Sequence, residues 1–417
     1  MEISYRTILK KQNYRHILLA NLVNRLGDSI DTLAFSWLVY AFTGEGKWAA
    51  LVFAVNKIPS VIFLPFAGAY VEKKEKKYIM ILCDVIRALL VTILLICMIT
   101  KTLSVIILVL FSFFISLAEA FRIPAGVSFI TQLLDKDELS YGVSLNVLVS
   151  MIAGVVGTGI GGLMISYRNM NVTFEIDIAT FLVSIVLITV IPHSEIISND
   201  MRKENSLSIL KEGLQYIIKR KVLVYVILFA GFANGIMAPI DSLQTPVVVE
   251  IFKQDAAYVS LLNICLTIGV LFGGAVYPIL QKKVSTRVVF TFSCAFIMFL
   301  YLLVSFVDDR NIVVVGIWYY GIIVCYFLYG LFAGFLTTGV GITLMKHTEQ
   351  TYMSRTNTIF TAIGEAAIPL ASTITGLLLH FLEMKEVFWL VAGGIFMALL
   401  SVTLIEWKNK NHRKKIM

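Results

Sequence analysis

Residues 68–100 read GAYVEKKEKKYIMILCDVIRALLVTILLICMIT, and the fold follows from this stretch. Its early part sets Lys73, Lys74, Lys76 and Lys77 around Glu75, and the 23 residues that follow, Tyr78 to Thr100, carry only two charges, Asp84 and Arg87. About 20 apolar residues in a helix cover the ~30 Å hydrocarbon layer of a bilayer. Lipid offers no partners to backbone N–H and C=O groups, so such a run must be helical. A basic cluster abutting it marks the side from which the span enters.

Outward from this stretch the pattern repeats. Apolar runs fall at about 16–42, 48–70, 78–100, 103–126, 141–167 and 172–192, then at about 222–251, 257–280, 288–306, 312–345, 355–380 and 385–406. The 417 residues are 58% hydrophobic and 15% charged, whereas a soluble chain carries about 25% charged residues. The expected fold is therefore an all-α integral membrane protein of twelve transmembrane helices in two six-helix bundles. Residues 1–192 form the first, 193–221 a linker and 222–417 the second. Within the linker, Leu207, Leu210, Leu214, Ile217 and Ile218 recur at helical spacing opposite Lys211, Glu212, Gln215 and Lys219. That is an amphipathic helix for the membrane interface.

The formal net charge of +8 does not imply a nucleic-acid partner, because the basic residues alternate between loops. With the N-terminus inside, inner segments hold 25 Lys and Arg and outer loops hold six: Lys47, Lys101, Arg168, Lys253, Arg310 and Lys385. Positive residues gather on the cytoplasmic side, so both termini are expected in the cytoplasm of a bacterial-type cell. The first apolar run is too long and too charged for a cleavable signal. Cys83, Cys97, Cys265, Cys294 and Cys325 all lie in apolar runs without a C-x-x-C pair. They are expected as small core residues, and the scattered histidines make a metal site unexpected.

Arg25, Lys57, Arg87 and Arg122 are the cations inside spans. Ionisable groups at membrane depth are costly and mark functional positions. Arg25/Asp28, Asp84/Arg87 and Glu119/Arg122 are each three apart, which puts both partners on one helix face. Asp31 and Lys57 are level with each other across the first hairpin and are expected to pair. Asp28, Asp31, Glu119 and Glu365 are the candidates to bind a coupling ion, with Arg25, Lys57 and Arg122 as their charge partners. No cofactor is expected.

Gly157-Thr158-Gly159-Ile160-Gly161-Gly162 matches G-x-G-x-x-G with Asp177 following, yet it lies inside a span and not in a strand–turn–helix unit, so a dinucleotide site is rejected. Small residues at this spacing instead let helices approach closely. A faint repeat relates the halves: Gly68 precedes a basic loop as Gly273-Gly274 precede Lys282-Lys283, and Asn24 with Gly27-Asp28 is matched by Asn234-Gly235 with Asp241. Parallel repeats of this kind build many secondary transporters.

Together these residues resemble the major facilitator superfamily, and within it the macrolide-efflux-type drug:proton antiporters. Gly68 to Lys77 follows the family's G-x-x-x-D-R-x-D-R-K loop with Glu and Lys in place of Asp and Arg. Gly157 to Gly162 is similar to its antiporter motif G-P-x-x-G-G, with Thr158 where proline is usual. Arg122-Ile123-Pro124-Ala125 resembles the segment closing the fourth span, and Ser354-Arg355-Thr356 with Pro369 the entry to the eleventh. The resemblance implies a cytoplasmic gate of Gly68, Glu72, Lys73, Lys76, Asp84 and Arg87, and an antiporter-like motif of Gly157, Gly161 and Gly162. It further implies export of an amphipathic small molecule by a monomer in the lipid bilayer, driven by a proton gradient, with sodium as the alternative coupling ion. A dedicated siderophore or metabolite exporter and a nutrient importer of the same fold are the alternatives within transport. A membrane sensor would need a soluble domain and an enzyme a catalytic cluster at one interface, and the sequence offers neither.

Overall fold

The computed structural model describes residues 5–72, 74–135, 137–167, 170–192, 206–307, 317–349 and 352–416, with side chains left undescribed at a few of these and beyond Ser401. Among the described residues twelve long helices carry the fold: α1 (Gln12–Thr43), α2 (Gly46–Glu72), α3 (Lys76–Ile99), α4 (Val105–Leu133), α5 (Leu139–Ser166), α6 (Met170–Thr189), α7 (Lys221–Ser242), α8 (Ala256–Leu280), α9 (Thr286–Phe306), α10 (Ile317–His347), α11 (Met353–Leu378) and α12 (Met384–Ile416). Eleven of them are long and apolar enough to cross a membrane. The other is α1, whose 32 residues would reach about 48 Å but carry Arg25, Asp28 and Asp31. It packs between α5 and α6, both apolar spans, and completes the twelve. An even number of spans leaves both termini on one face, called here the terminal face.

The repeat seen faintly in the sequence is plain in the packing. In the first bundle α1 packs on α5, α2 on α4, and α3 on α4 and α6; in the second, α7 packs on α11, α8 on α10, and α9 on α10 and α12. Adding six to each label turns one set into the other. The bundles meet through α2 with α11 and α5 with α8, which is also a pair exchanged by that rule. Small residues permit the closest approaches. A side chain at Gly157 would reach the carbonyl oxygen of Leu26 on α1 at 2.5 Å, and one at Gly161 the Cα of Ile30 at 3.2 Å. Gly162 instead faces Ser260 and Ala256 on α8, so the motif serves both the bundle interior and the seam between bundles.

Among the described residues, the side-chain hydrogen bonds across the seam gather toward one end. Ser36 meets the Thr245 hydroxyl at 2.9 Å, Tyr40 donates to Glu250 at 2.8 Å, the Ala257 N–H donates to Ser166 at 2.9 Å, and the Ser260 hydroxyl donates to the Thr158 carbonyl. All lie in the half away from the terminal face, where one apolar cluster joins residues of both bundles, from Leu33 and Phe111 to Ile240 and Tyr301. Toward the terminal face the core divides: one cluster around Tyr14, Phe129 and Ile188 belongs to the first bundle alone, and others around Tyr216 and Tyr277 to the second. The shared apolar core thus lies toward the far face, and the clusters near the terminal face each belong to one bundle.

One span departs from the sequence reading. The seventh span was expected to reach about 251, but α7 ends at Ser242 and the chain resumes through Gln244–Pro246 and a wider turn, Val247–Ile251. Pro246 breaks the run because it lacks an N–H, and apolarity alone hides it. The expected amphipathic helix is present as Ser206–Ile218 and docks on the second bundle; residues 193–205 of the linker lie outside the described residues. Tyr216 stacks on Tyr352 at 4.1 Å, Glu212 pairs with Arg355 at 2.6 Å, and Arg220 pairs with Glu349, which holds the guanidinium above its ordinary value.

Candidate functional site

The charges at membrane depth gather inside the first bundle. Arg87 of α3 is buried and pairs with Asp28 of α1, its guanidinium also lying 4.5 Å from the centre of the Phe181 ring of α6. One layer nearer the terminal face, Arg122 of α4 donates its Nε–H to Asp84 of α3 at 3.0 Å. Asp84 further accepts from Asn24 at 3.1 Å and Ser184 at 2.7 Å, and Arg122 donates to Asn21 at 3.2 Å. Asp84 is thus fully matched: one cation and two neutral donors on three different helices.

The expected pairs were within helices; the observed pairs are between them. Arg25 is exposed on α1 and does not pair with Asp28, and Arg87 and Arg122 each reach past their i−3 acid, Asp84 and Glu119, to an acid on another helix. Spacing of three shares a face, but a long guanidinium extends several ångströms, and the interior of a bundle rewards the partner that crosses it. The expected Asp31–Lys57 pair is also absent among the described ion pairs. The charges acting on Asp31 are Arg87, Asp28 and Glu119, whereas Lys57 lies 5.5 Å from the Phe53 ring and acts on Asp241 and Glu365 of the second bundle. Of the four coupling candidates, Asp28, Asp31 and Glu119 share the field of Arg87, and Glu365 stands apart on α11.

The sequence reading missed one member, Asp177 of α6. It is completely buried, acts on Arg87, and packs where α1 has Gly27, at which a side chain would come within 2.7 Å of the Asp177 carboxylate. It has no cation three residues away, which is why spacing did not find it, although a lone acid in a span was a signal in itself. Around Arg87 the ledger of partners does not balance: Asp31 Oδ1, Asp177 Oδ2 and the Nε and Nη1 of Arg87 are buried without a hydrogen-bond partner.

Of the expected gate, Gly68 faces open space, Lys76 is buried, and Asp84 and Arg87 belong to the two pairs above; the Glu72 and Lys73 side chains lie outside the described residues. Lys77, beside them, donates to the carbonyls of Thr189 at 2.9 Å and Ile191 at 2.8 Å, where a cation meets the negative end of α6. Lys11 at the start of α1 pairs with Asp135 at 3.0 Å and Glu138 at 2.5 Å, and the Glu138 hydrogen bond raises its ammonium above the ordinary lysine value.

A twelve-helix, two-repeat bundle with buried charge in one half finds its counterpart in a family profile. The profile described as "Transmembrane secretion effector", of the major facilitator superfamily, matches residues 4–330. The chain belongs to this family. Its members are transporters and not enzymes. Macrolide efflux protein A of Streptococcus pyogenes is 18% identical over 94% of this chain and 95% of its own. The MFS-type transporter YkuC of Bacillus subtilis, itself uncharacterized, is 25% identical over 66% of each chain, and the multidrug efflux pump Tap of Mycolicibacterium fortuitum 25% identical over 65% of this chain and 68% of its own. Among solved structures, the nucleoside transporter NupG superposes with a TM-score of 0.76 at 11% identity, covering 94% of this chain and 98% of that one. A bacterial homologue of the iron transporter ferroportin, in an inward-facing state, gives 0.71 at 13% identity, covering 95% and 98%. These likenesses fix the fold as that of the major facilitator superfamily.

Proposed function

We propose that the chain exports amphipathic small molecules across a bacterial cytoplasmic membrane in exchange for protons, by alternating access between its two bundles. The terminal face is cytoplasmic in this reading, because 25 of the basic residues gather there and six lie opposite. The contacts that join the bundles gather toward the opposite face, which in this reading leaves the cytoplasmic side as the one from which substrate enters. The observation that carries the coupling is the mismatch around Arg87. One guanidinium serves Asp28, Asp31 and Asp177, while Arg122 is occupied by Asp84. Unpaired charge in a low-dielectric interior costs several kcal/mol per ion, and binding a proton removes that cost at Asp31 or Asp177, whose buried oxygens lack partners.

Two proteins among the relatives carry efflux in their names, macrolide efflux protein A and the multidrug efflux pump Tap, which supports the direction. The test is flux in proteoliposomes under an imposed pH gradient, screened with cationic, neutral and anionic amphiphiles. Accumulation driven by the proton gradient supports the reading; accumulation driven by a sodium gradient alone, or none with any amphiphile, contradicts it.

A further inference from the structure

Helix α7 is interrupted where it crosses the middle of the second bundle. Pro239 has no N–H to give, and the Tyr301 hydroxyl enters the ladder beside it, donating to the Ile236 carbonyl at 2.7 Å and accepting from the Ile240 N–H at 3.1 Å. Five residues after Ser242 the chain is already in its second short segment, Val247–Ile251. Asp241 sits at the break. It is exposed, although Ile240, Ser242 and Leu243 around it are buried, and the groups acting on its carboxylate are Tyr329 and Lys57. At 1.5 Å per residue Asp241 lies about 15 Å from the far end of its segment, Lys57 about 16 Å from the start of α2, and Glu365 about 20 Å from the end of α11. The three charges are thus at one level, Lys57 on the wall of the first bundle and Asp241 and Glu365 on the wall of the second, with α2 and α11 in contact across the seam.

Lys57 is the charged group acting on both carboxylates, yet no ion pair within 4.0 Å joins it to either among the described residues. Tyr329 orients Asp241, donating to its Oδ1 at 3.0 Å. Tyr326, whose ring centre is 6.2 Å from that of Tyr329, keeps a buried hydroxyl without a partner and feels the Asp241 charge. A broken spanning helix whose C-terminal end carries partial negative charge is a place where transporters hold cationic groups.

We propose that this level of the inter-bundle space binds a ligand bearing both a protonated amine and a carboxylate, the amine held by Asp241 and Glu365 and the carboxylate by Lys57. The proposal rests on the transport reading and names the class of substrate. A purely cationic ligand would meet the Lys57 ammonium, and a purely anionic one two carboxylates; at low dielectric each like-charge contact costs much of what the opposite contact supplies. A dipolar ligand makes charge-assisted hydrogen bonds to both walls. It also ties the two bundles together through one molecule, and so favours the conformation in which the walls are closest.

The experiment is a fluorescence titration of the purified full chain in detergent with three matched probes. Nε-dansyl-lysine is zwitterionic, its methyl ester is a cation, and its Nα-acetyl derivative is an anion. The zwitterion is expected to bind at least tenfold more tightly than either derivative. Lys57→Met should make the zwitterion and ester equal, and Asp241→Asn should make the zwitterion and acetyl derivative equal. Glu365→Gln serves as the second carboxylate variant should Asp241→Asn not fold. Ester binding as tight as the zwitterion shows a simple cation site, acetyl derivative binding as tight shows a simple anion site, and failure of all three to bind removes the site; each overturns the proposal. Proton-driven flux of another amphiphile in the same preparation would leave the transport reading standing when the zwitterion fails.

Discussion

The two bundles share one packing plan and have spent their polar residues differently. The first buries Asp28, Asp84, Arg87, Arg122 and Asp177 among its helices; the second buries tyrosines, Tyr277, Tyr301, Tyr326 and Tyr329, and its acids within spans, Asp241 and Glu365, are exposed and half-buried and feel Lys57 of the other bundle. Helix contact is likewise achieved by different means. In the second bundle α8 and α10 interlock through Gly269, Gly273, Gly330 and Gly334, each close to backbone of the other helix. In the first, Gly27, Gly157 and Gly161 bring α1 against α6 and α5 around the charge cluster. A duplicated scaffold thus fixes where helices meet, and the residues placed at equivalent crossings decide whether a crossing stores charge or merely packs.

That contrast can be broken by paired substitutions. Arg87→Met should be the most damaging, since it leaves Asp28 buried without its cation; removing one partner of a buried pair costs about 3–5 kcal/mol, seen as loss of folded protein in detergent thermal unfolding. If Asp28→Asn in the same chain does not recover most of that loss, the pair is not the cause. Gly157→Ala and Gly330→Ala should each cost about 1–3 kcal/mol by overpacking against backbone. Equal costs in the two would sharpen the view that close packing is common to both bundles. Tyr329→Phe removes one hydrogen bond to Asp241 and should cost about 0.5–1.5 kcal/mol. A loss as large as that of Arg87→Met would erase the distinction drawn between the bundles.

At the terminal face the expected effects are smallest. Lys11→Ala breaks a partly exposed pair and should cost less than about 1 kcal/mol in unfolding assays. Because the folded-state ammonium titrates above its unfolded value, this contribution is present below pH of about 10 and is lost as pH rises through the folded value. The wild-type and variant unfolding curves should therefore converge only in strong alkali, and a difference that vanished toward acid down to pH 6 would contradict the assignment.

How much of this was legible in the sequence differs by kind of feature. The spans were, because twenty apolar residues in lipid have one solution. So were the linker helix and the role of Gly157 and Gly161 as contact positions. Pairing among the buried charges was not. Asp28 and Arg87 are 59 residues apart, and their meeting depends on the rotation of α1 against α3, which no local spacing encodes. Asp177 escaped because it has no i+3 partner, and the break at Ser242 because Val247–Ile251 continues the apolar run beyond Pro246. Lys57 was matched to the nearest acid along the hairpin, whereas its charge is directed across the seam to another bundle, a relation that exists only once the two halves are assembled.

The central claim is that the unbalanced carboxylates around Arg87 couple substrate movement to protons. It is tested most directly by pH-gradient-driven transport in proteoliposomes of the wild type beside Asp28→Asn, Asp31→Asn and Asp177→Asn, with exchange of labelled for unlabelled substrate at equal pH as the control. The account predicts that at least one variant keeps exchange but loses uphill accumulation, with the alkalinisation or acidification that accompanies wild-type flux abolished in the same variant. Uphill, proton-driven accumulation retained in all three, and in the triple variant, would contradict it.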